Sequence, residues 1–150
     1  MPMIEVYVPG GALAPEVAAE LLEELARLLL HWEGAPDTEF FREVTWVYLH
    51  HTPQVAVGGR AGGAPRFRVE VSVPEGLLST RRKTGLIRDV HTAVAEAAGM
   101  GDQPSTAMHV WTLIREVPEG NWGVGGVPIH FAGLRQHPAA ERERPMATAP

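Results

Sequence analysis

Cysteine is absent from this 150-residue chain, which excludes disulfides and thiolate metal sites. Long apolar runs are absent too, since none approaches the roughly 20 residues that a membrane-spanning helix requires. The first residues lack the basic-then-apolar order of a secretory leader. We therefore expect a cytoplasmic protein with no membrane partner. Basic charge is scarce: 13 Lys and Arg face 18 Asp and Glu, the net charge is −5, and "RRK" at 81–83 is the basic block that stands out. Nucleic acid is accordingly not expected as a partner. What the chain does have is 45% hydrophobic residues, enough for one domain with a real core but too short for two ordinary ones.

The chain reads in two halves. In "MIEVYVP", Ile4, Val6 and Val8 alternate with Glu5 and Tyr7, the period of a half-buried strand. Gly10 and Gly11 turn it. From Pro15 to about Glu33, Val17, Leu21, Leu25, Leu28 and Trp32 recur at helical spacing, and Pro15 suits a first helical turn. "GAPDT" ends that helix, and "VTWVYLHH" predicts the next strand. The second half repeats the order. "RVEVSVPEG" is a strand and turn. Ser79 or Thr80 can cap a helix carrying Leu86, Val90, Val94 and Ala97, and Gly99 stops it. "MHVWTLIREV" is again a strand, followed by "PEGNWGVGG".

Laid on each other, "IEVYVPGGAL" at 4–13 and "VEVSVPEGLL" at 69–78 share six of ten residues. At the same offset Trp46 meets Trp111 and Pro53 meets Pro118, and with two residues inserted the "VGG" at 57–59 meets that at 124–126. Three matches in order indicate an internal duplication of a βαβ unit. A helix of about 18 residues between two strands is long enough for a parallel crossover. The expected fold is α+β: a tandem βαβ-βαβ arrangement, with a four-stranded mixed sheet and two helices on one face. Residues 1–136 form the expected domain, with repeats at about 2–63 and 66–130. The other sheet face has nothing in the chain to cover it, which points to oligomerisation. The segment "RQHPAAERERPMATAP" has no periodicity, and 137–150 reads as a mobile tail.

Two βαβ units, an N-terminal "MP" and the late hairpin "NWGVGG" together resemble the tautomerase superfamily, which includes 4-oxalocrotonate tautomerase, macrophage migration inhibitory factor and the chloroacrylic acid dehalogenases. The resemblance spans roughly residues 2–130 and is that of a fused, double-length member. It implies a homotrimer, a small-molecule carbonyl substrate and no cofactor. It also implies that Met1 is removed and that the secondary amine of Pro2 is catalytic. Only the first copy of a tandem repeat can supply a free amine, and the aligned place in the second copy is Phe67. Such an amine must be unprotonated near neutral pH, which desolvation and neighbouring cations promote. It can then act as general base and general acid in turn, or as a nucleophile.

The family's carboxylate-binding arginines do not match here. Ala12 and Leu77 follow the two turns, and Trp46 and Trp111 stand on the strands. The dehalogenase pocket is not reproduced either, since its places read Leu29, Pro74 with Leu77, Leu113 and Val124, and His31 lies two residues from the first. Strand parity puts Trp111, Leu113 and Arg115 on one face, matched in the first repeat by Trp46, Tyr48 and His50. Arg115, Tyr48, His50 and Trp111 are therefore candidates to contact substrate; packing at a subunit interface is the competing role. Trp122, in "GNWGVGG", occupies the place where related hairpins wall the proline pocket. Arg81 and Arg82 lie a turn past the usual arginine site, as a solvated first helical turn or as groups reaching back. "HH" at 50–51 makes no metal site, because adjacent strand residues face opposite ways. The expected activity is a keto-enol tautomerase or isomerase acting on a substrate more apolar or aromatic than a dicarboxylate. The alternative is a noncatalytic member that binds a small molecule or a protein.

Overall fold

The structure, a computed structural model, describes residues 2–101 and 103–131. The expected tail at 137–150 lies outside the described residues. Strand β1 (Met3–Pro9) leads into helix α1 (Pro15–Glu33), and a short helix α2 (Glu39–Glu43) precedes β2 (Trp46–Thr52). A small hairpin, β3 (Ala56–Val57) and β4 (Arg60–Ala61), closes the first repeat. The second repeat runs through β5 (Phe67–Pro74), helix α3 (Thr80–Ala97), β6 (Val110–Val117) and the hairpin of β7 (Gly123–Val124) and β8 (Val127–Pro128). Both hairpins centre on the "VGG" segments that the repeat aligns. The sequence did not signal α2: five residues are too few for periodicity, and Thr38 makes the helix by capping the Phe41 amide.

The sheet order is β2-β1-β5-β6. β1 pairs parallel with β2 and β5 parallel with β6, while β1 and β5 run antiparallel and join the two repeats at the centre. This is the mixed four-stranded sheet expected from the duplication. α1 and α3 cover one face. Ile4, Val6, Val8, Val69, Val71 and Val73 meet Leu21, Leu25, Leu29, Leu86, Val90 and Val94 there, all nearly inaccessible to solvent. The helix ends follow their sequences. Pro15 opens α1, and Gly34 stops it in the left-handed conformation that glycine adopts without strain. Ser79 caps α3 by accepting from the Arg82 amide.

One contact fixes how the helices sit together. The Trp32 indole of α1 lies across α3 at Gly85 and donates to Asp89 Oδ2 at 2.9 Å. A Cβ at Gly85 would fall 2.0 Å from the Trp32 ring, so only glycine admits the indole. Gly85→Ala raises intrinsic helix propensity by about 1 kcal/mol, yet it is expected to destabilise the fold by about 1–3 kcal/mol through overpacking. In a Trp32→Ala background the same substitution is expected to stabilise. Urea denaturation of the four proteins in this cycle checks both signs.

Candidate functional site

The side chains left on the uncovered face form three rows across the sheet, fixed by strand register. At the end where β1 begins, the row is Trp46, Met3, Ser72 and Arg115. The middle row is Tyr48, Glu5, Glu70 and Leu113, and the far row is His50, Tyr7, Arg68 and Trp111. Exchanging the two repeats maps Trp46 onto Trp111 and Glu5 onto Glu70. The expected parity therefore holds, and all four strand candidates share this face.

The register also decides which of them are near Pro2. Pro2 is buried just ahead of β1, and its carbonyl accepts from the Trp46 amide at 3.3 Å. Arg115 stands in the row next to it, but its Nε lies 2.8 Å from Glu70 Oε2. Tyr48 is one row further on. His50 and Trp111 belong to the far row, at the opposite end of the sheet from Pro2. His50 Nε2 lies 3.1 Å from Glu5 Oε1, and its ring stacks on Tyr7 with centroids 4.6 Å apart. Trp122 is half-buried at the base of the β7–β8 hairpin, where its carbonyl accepts from the Ile129 amide. That hairpin leaves the sheet beyond β6, the strand on the outer edge of the second repeat. Within one chain, then, the register brings only Arg115 of the strand candidates to the Pro2 end.

Three features near these residues were not singled out from the sequence. The first is Glu70, whose side chain is 8% exposed and lies between Arg68 (3.3 Å) and Arg115 (2.8 Å). An isolated buried carboxylate would be costly; two guanidinium groups offset that cost. The second is Arg68, which also sits over the Tyr7 ring at 4.0 Å from its centroid. The third is Glu33, in the last turn of α1. Its Oε1 is buried with no hydrogen-bond partner. Burial pushes its carboxyl up to about 7, against the opposing positive charges of the chain's amino terminus and of Arg82. An acidic residue at a helix C-terminus faces the negative end of the helix dipole, the one clue that the sequence offered. Arg82 reaches back from α3, donating from Nη1 to the Glu33 carbonyl at 3.1 Å. Arg81 and Arg82 are both exposed, and the contact Arg82 makes is with the end of α1.

The end of the sheet at Pro2 thus combines a buried proline at the second position, a carboxyl that holds its proton to near neutrality, and an indole at the edge. Among the described residues, no cluster of His, Cys, Asp and Glu suited to hold a metal ion occurs, and no helix is long and apolar enough to cross a membrane.

Comparison with known proteins bears on the fold. The family model described as "Tautomerase enzyme" matches residues 68–132, the second repeat. This is under half of the chain and does not include Pro2. No curated protein matches. Among solved structures, a wild-type fused 4-OT in the form of a symmetric trimer is 22% identical, with a TM-score of 0.70 over 88% of this chain and 98% of that one. A member of the cis-3-chloroacrylic acid dehalogenase family is 18% identical, with a TM-score of 0.72 over 97% and 94%. Pt0534, captured after inactivation by 2-oxo-3-pentynoate, is 22% identical, with a TM-score of 0.69 over 84% and 95%. The chain has the tautomerase-superfamily fold, with two βαβ units in one polypeptide.

Glu33 supplies a stability test. Its folded-state carboxyl is raised to about 7 from an ordinary 4.5, so the folded chain binds the proton more tightly than the unfolded chain does. The resulting penalty is absent below the unfolded value, grows as pH rises, and is complete above about 7. Glu33→Gln cannot ionise. It is expected to raise Tm over the parent at pH 8 and to leave it nearly unchanged at pH 4, as measured by thermal melts at both pH values.

Proposed function

We propose that this protein is a cofactor-independent tautomerase or isomerase in which the Pro2 nitrogen, freed by removal of Met1, carries a proton between the oxygen and carbon ends of an enol or unsaturated carbonyl compound. The observation that carries this reading is the position of Pro2: buried, at the entry to a central strand, in a fold shared with fused 4-OT. Pt0534, another neighbour in fold, is inactivated by an acetylenic ketoacid, 2-oxo-3-pentynoate. In ketonisation the neutral amine takes the enol proton, the electron pair shifts to the carbon, and the resulting ammonium returns the proton there. Burial of Pro2 favours the neutral amine that the first step needs.

Freed by loss of Met1, the Pro2 amine would take over the electrostatic interaction that the present amino terminus has with Glu33. Ionised, Glu33 favours the ammonium form; protonated, it does not. It is a positioning residue in this scheme, and it ties the amine's basicity to pH near 7. The oxygen end of the substrate requires a cation or a hydrogen-bond donor. Arg115, in the row beside Pro2, serves this role if a substrate carboxylate or oxyanion competes with Glu70 for its guanidinium. The Trp46 edge favours an aromatic or apolar substrate. Trp122 belongs to the Pro2 end of the same chain in this scheme, since its hairpin follows the end of β6 that carries Arg115, and Tyr48 and His50 contribute where a second subunit brings them there.

Assembly is proposed as a homotrimer. The uncovered face exposes Trp46, Tyr48 and Leu113, an apolar set that association would bury, and the fused 4-OT relative forms a trimer. A noncatalytic, binding role is the competing reading. It draws support from Leu77 and Ala12 at the arginine places and from the pairing of Arg115 with Glu70.

Intact mass and phenylenolpyruvate ketonisation, with and without Pro2→Ala, decide between them. The expected result is a mass lacking one methionine and a loss of about a hundredfold or more in kcat/KM for the variant. A retained methionine with no activity, or a fully active Pro2→Ala, overturns the catalytic reading. In the same assay Glu33→Gln is expected to move the acidic limb of the kcat/KM profile to lower pH by about one unit or less.

A further inference from the structure

The internal repeat gives the sheet two equivalent ends, and only one of them has Pro2. At the other end the equivalent place is Phe67, 2% exposed, and beside it lies a cavity of about 580 Å³. That volume is within the range of roughly 300–1,000 Å³ usual for small-ligand sites. Tyr7, Phe67, Met108 and Trp111 supply apolar and aromatic walls, and the β3–β4 hairpin borders the opening through Val57. The hairpin is the repeat counterpart of β7–β8, so this is the second copy of the same site, without the amine.

The polar groups around the cavity specify a ligand. Arg66 lines it and donates to the Ala64 and Pro65 carbonyls, but it pairs with no carboxylate among the described residues. Arg68, on the same wall, is engaged by Glu70 and Tyr7. Arg66 therefore leaves a positive charge at the rim that no carboxylate among the described residues neutralises. His109 borders the same space, and its Nδ1 is buried with no hydrogen-bond partner. A buried polar atom left unpaired by the protein is costly, and a small rotation of the imidazole would let a ligand oxygen serve it.

We infer that the Phe67 end of the sheet is a second, noncatalytic binding site for a small aromatic carboxylate, with the ring between Trp111, Tyr7 and Phe67 and the carboxylate on Arg66 and His109. Arginine meets a carboxylate through paired, charge-assisted hydrogen bonds, and the aromatic walls match a flat apolar body. The amine chemistry proposed for Pro2 has no counterpart there, because Phe67 lies within the chain and carries no free amine.

The test is a ¹⁹F NMR titration of the full-length protein with 4-fluorophenylacetate, a probe that cannot tautomerise to a stable enol. Four proteins are compared: the parent, Pro2→Ala, Arg66→Met and Val57→Trp. Arg66 and Val57 lie outside the core, on the lead-in to β5 and on an exposed hairpin, and circular dichroism checks that each variant folds. Saturable binding is expected in the parent and in Pro2→Ala alike. Arg66→Met is expected to weaken it by about tenfold or more, and Val57→Trp, which fills the mouth, to abolish it. Absence of saturable binding in the parent, or binding that both Arg66→Met and Val57→Trp leave unchanged, overturns the inference. Binding lost in Pro2→Ala also overturns it, by assigning the probe to the Pro2 end. Since the parent and Pro2→Ala are expected to bind equally, the result stands apart from whether Pro2 is catalytic.

Discussion

The antiparallel pairing of β1 with β5 is the interaction on which the rest of the molecule depends. It joins two βαβ units into one sheet, places α1 beside α3, and sets the two ends of the sheet in opposite senses. It also brings Glu5 and Glu70 directly opposite one another. Like charges at such a spacing repel. His50 stands beside Glu5 and two arginines stand beside Glu70, so polar and charged pairs run through the centre of the uncovered face between its exposed aromatic and apolar side chains. Arg115 is drawn into that network, which is why its availability to a substrate depends on what else reaches the face.

The same pairing explains the division of labour along the sheet. A duplicated unit would by itself give two equal sites. A chain has one amino terminus, and the repeat offset puts Phe67 where the second amine would be. The Pro2 end is left with a buried proline, a proton-holding Glu33 and few free cations. The Phe67 end has a cavity, an arginine that pairs with no carboxylate among the described residues, and an imidazole nitrogen without a partner among them. The proposed chemistry and the proposed binding thus occupy opposite ends of one symmetric frame, and neither end is a copy of the other in charge.

Much of the fold was legible because both periodicities are clean. Ile4, Val6 and Val8 alternate, Leu21, Leu25 and Leu28 recur at helical spacing, and the second repeat restates both patterns. The short helix α2 was not legible, since it rests on one threonine cap. The site was read less completely. Parity placed Trp111, Arg115, Tyr48 and His50 on one face, as found, but it carries no information on which end of the sheet each occupies. That depends on register, and register put His50 and Trp111 away from Pro2. Glu33 was passed over because a helix-terminal glutamate is ordinarily solvated, and its burial arises only in the tertiary structure.

The sequence alone determined the duplication, the order of elements and the face to which each strand residue points, because these follow from local spacing and from sterics within a few residues. Tertiary structure decided the partners. Glu70 between two arginines, Trp32 over Gly85, Arg82 at the end of α1 and the carboxyl of Glu33 shifted toward neutrality all join residues far apart in the chain, or put a charge where water cannot reach it. Such energies depend on distance and solvation in three dimensions, and no pattern of neighbouring residues encodes them.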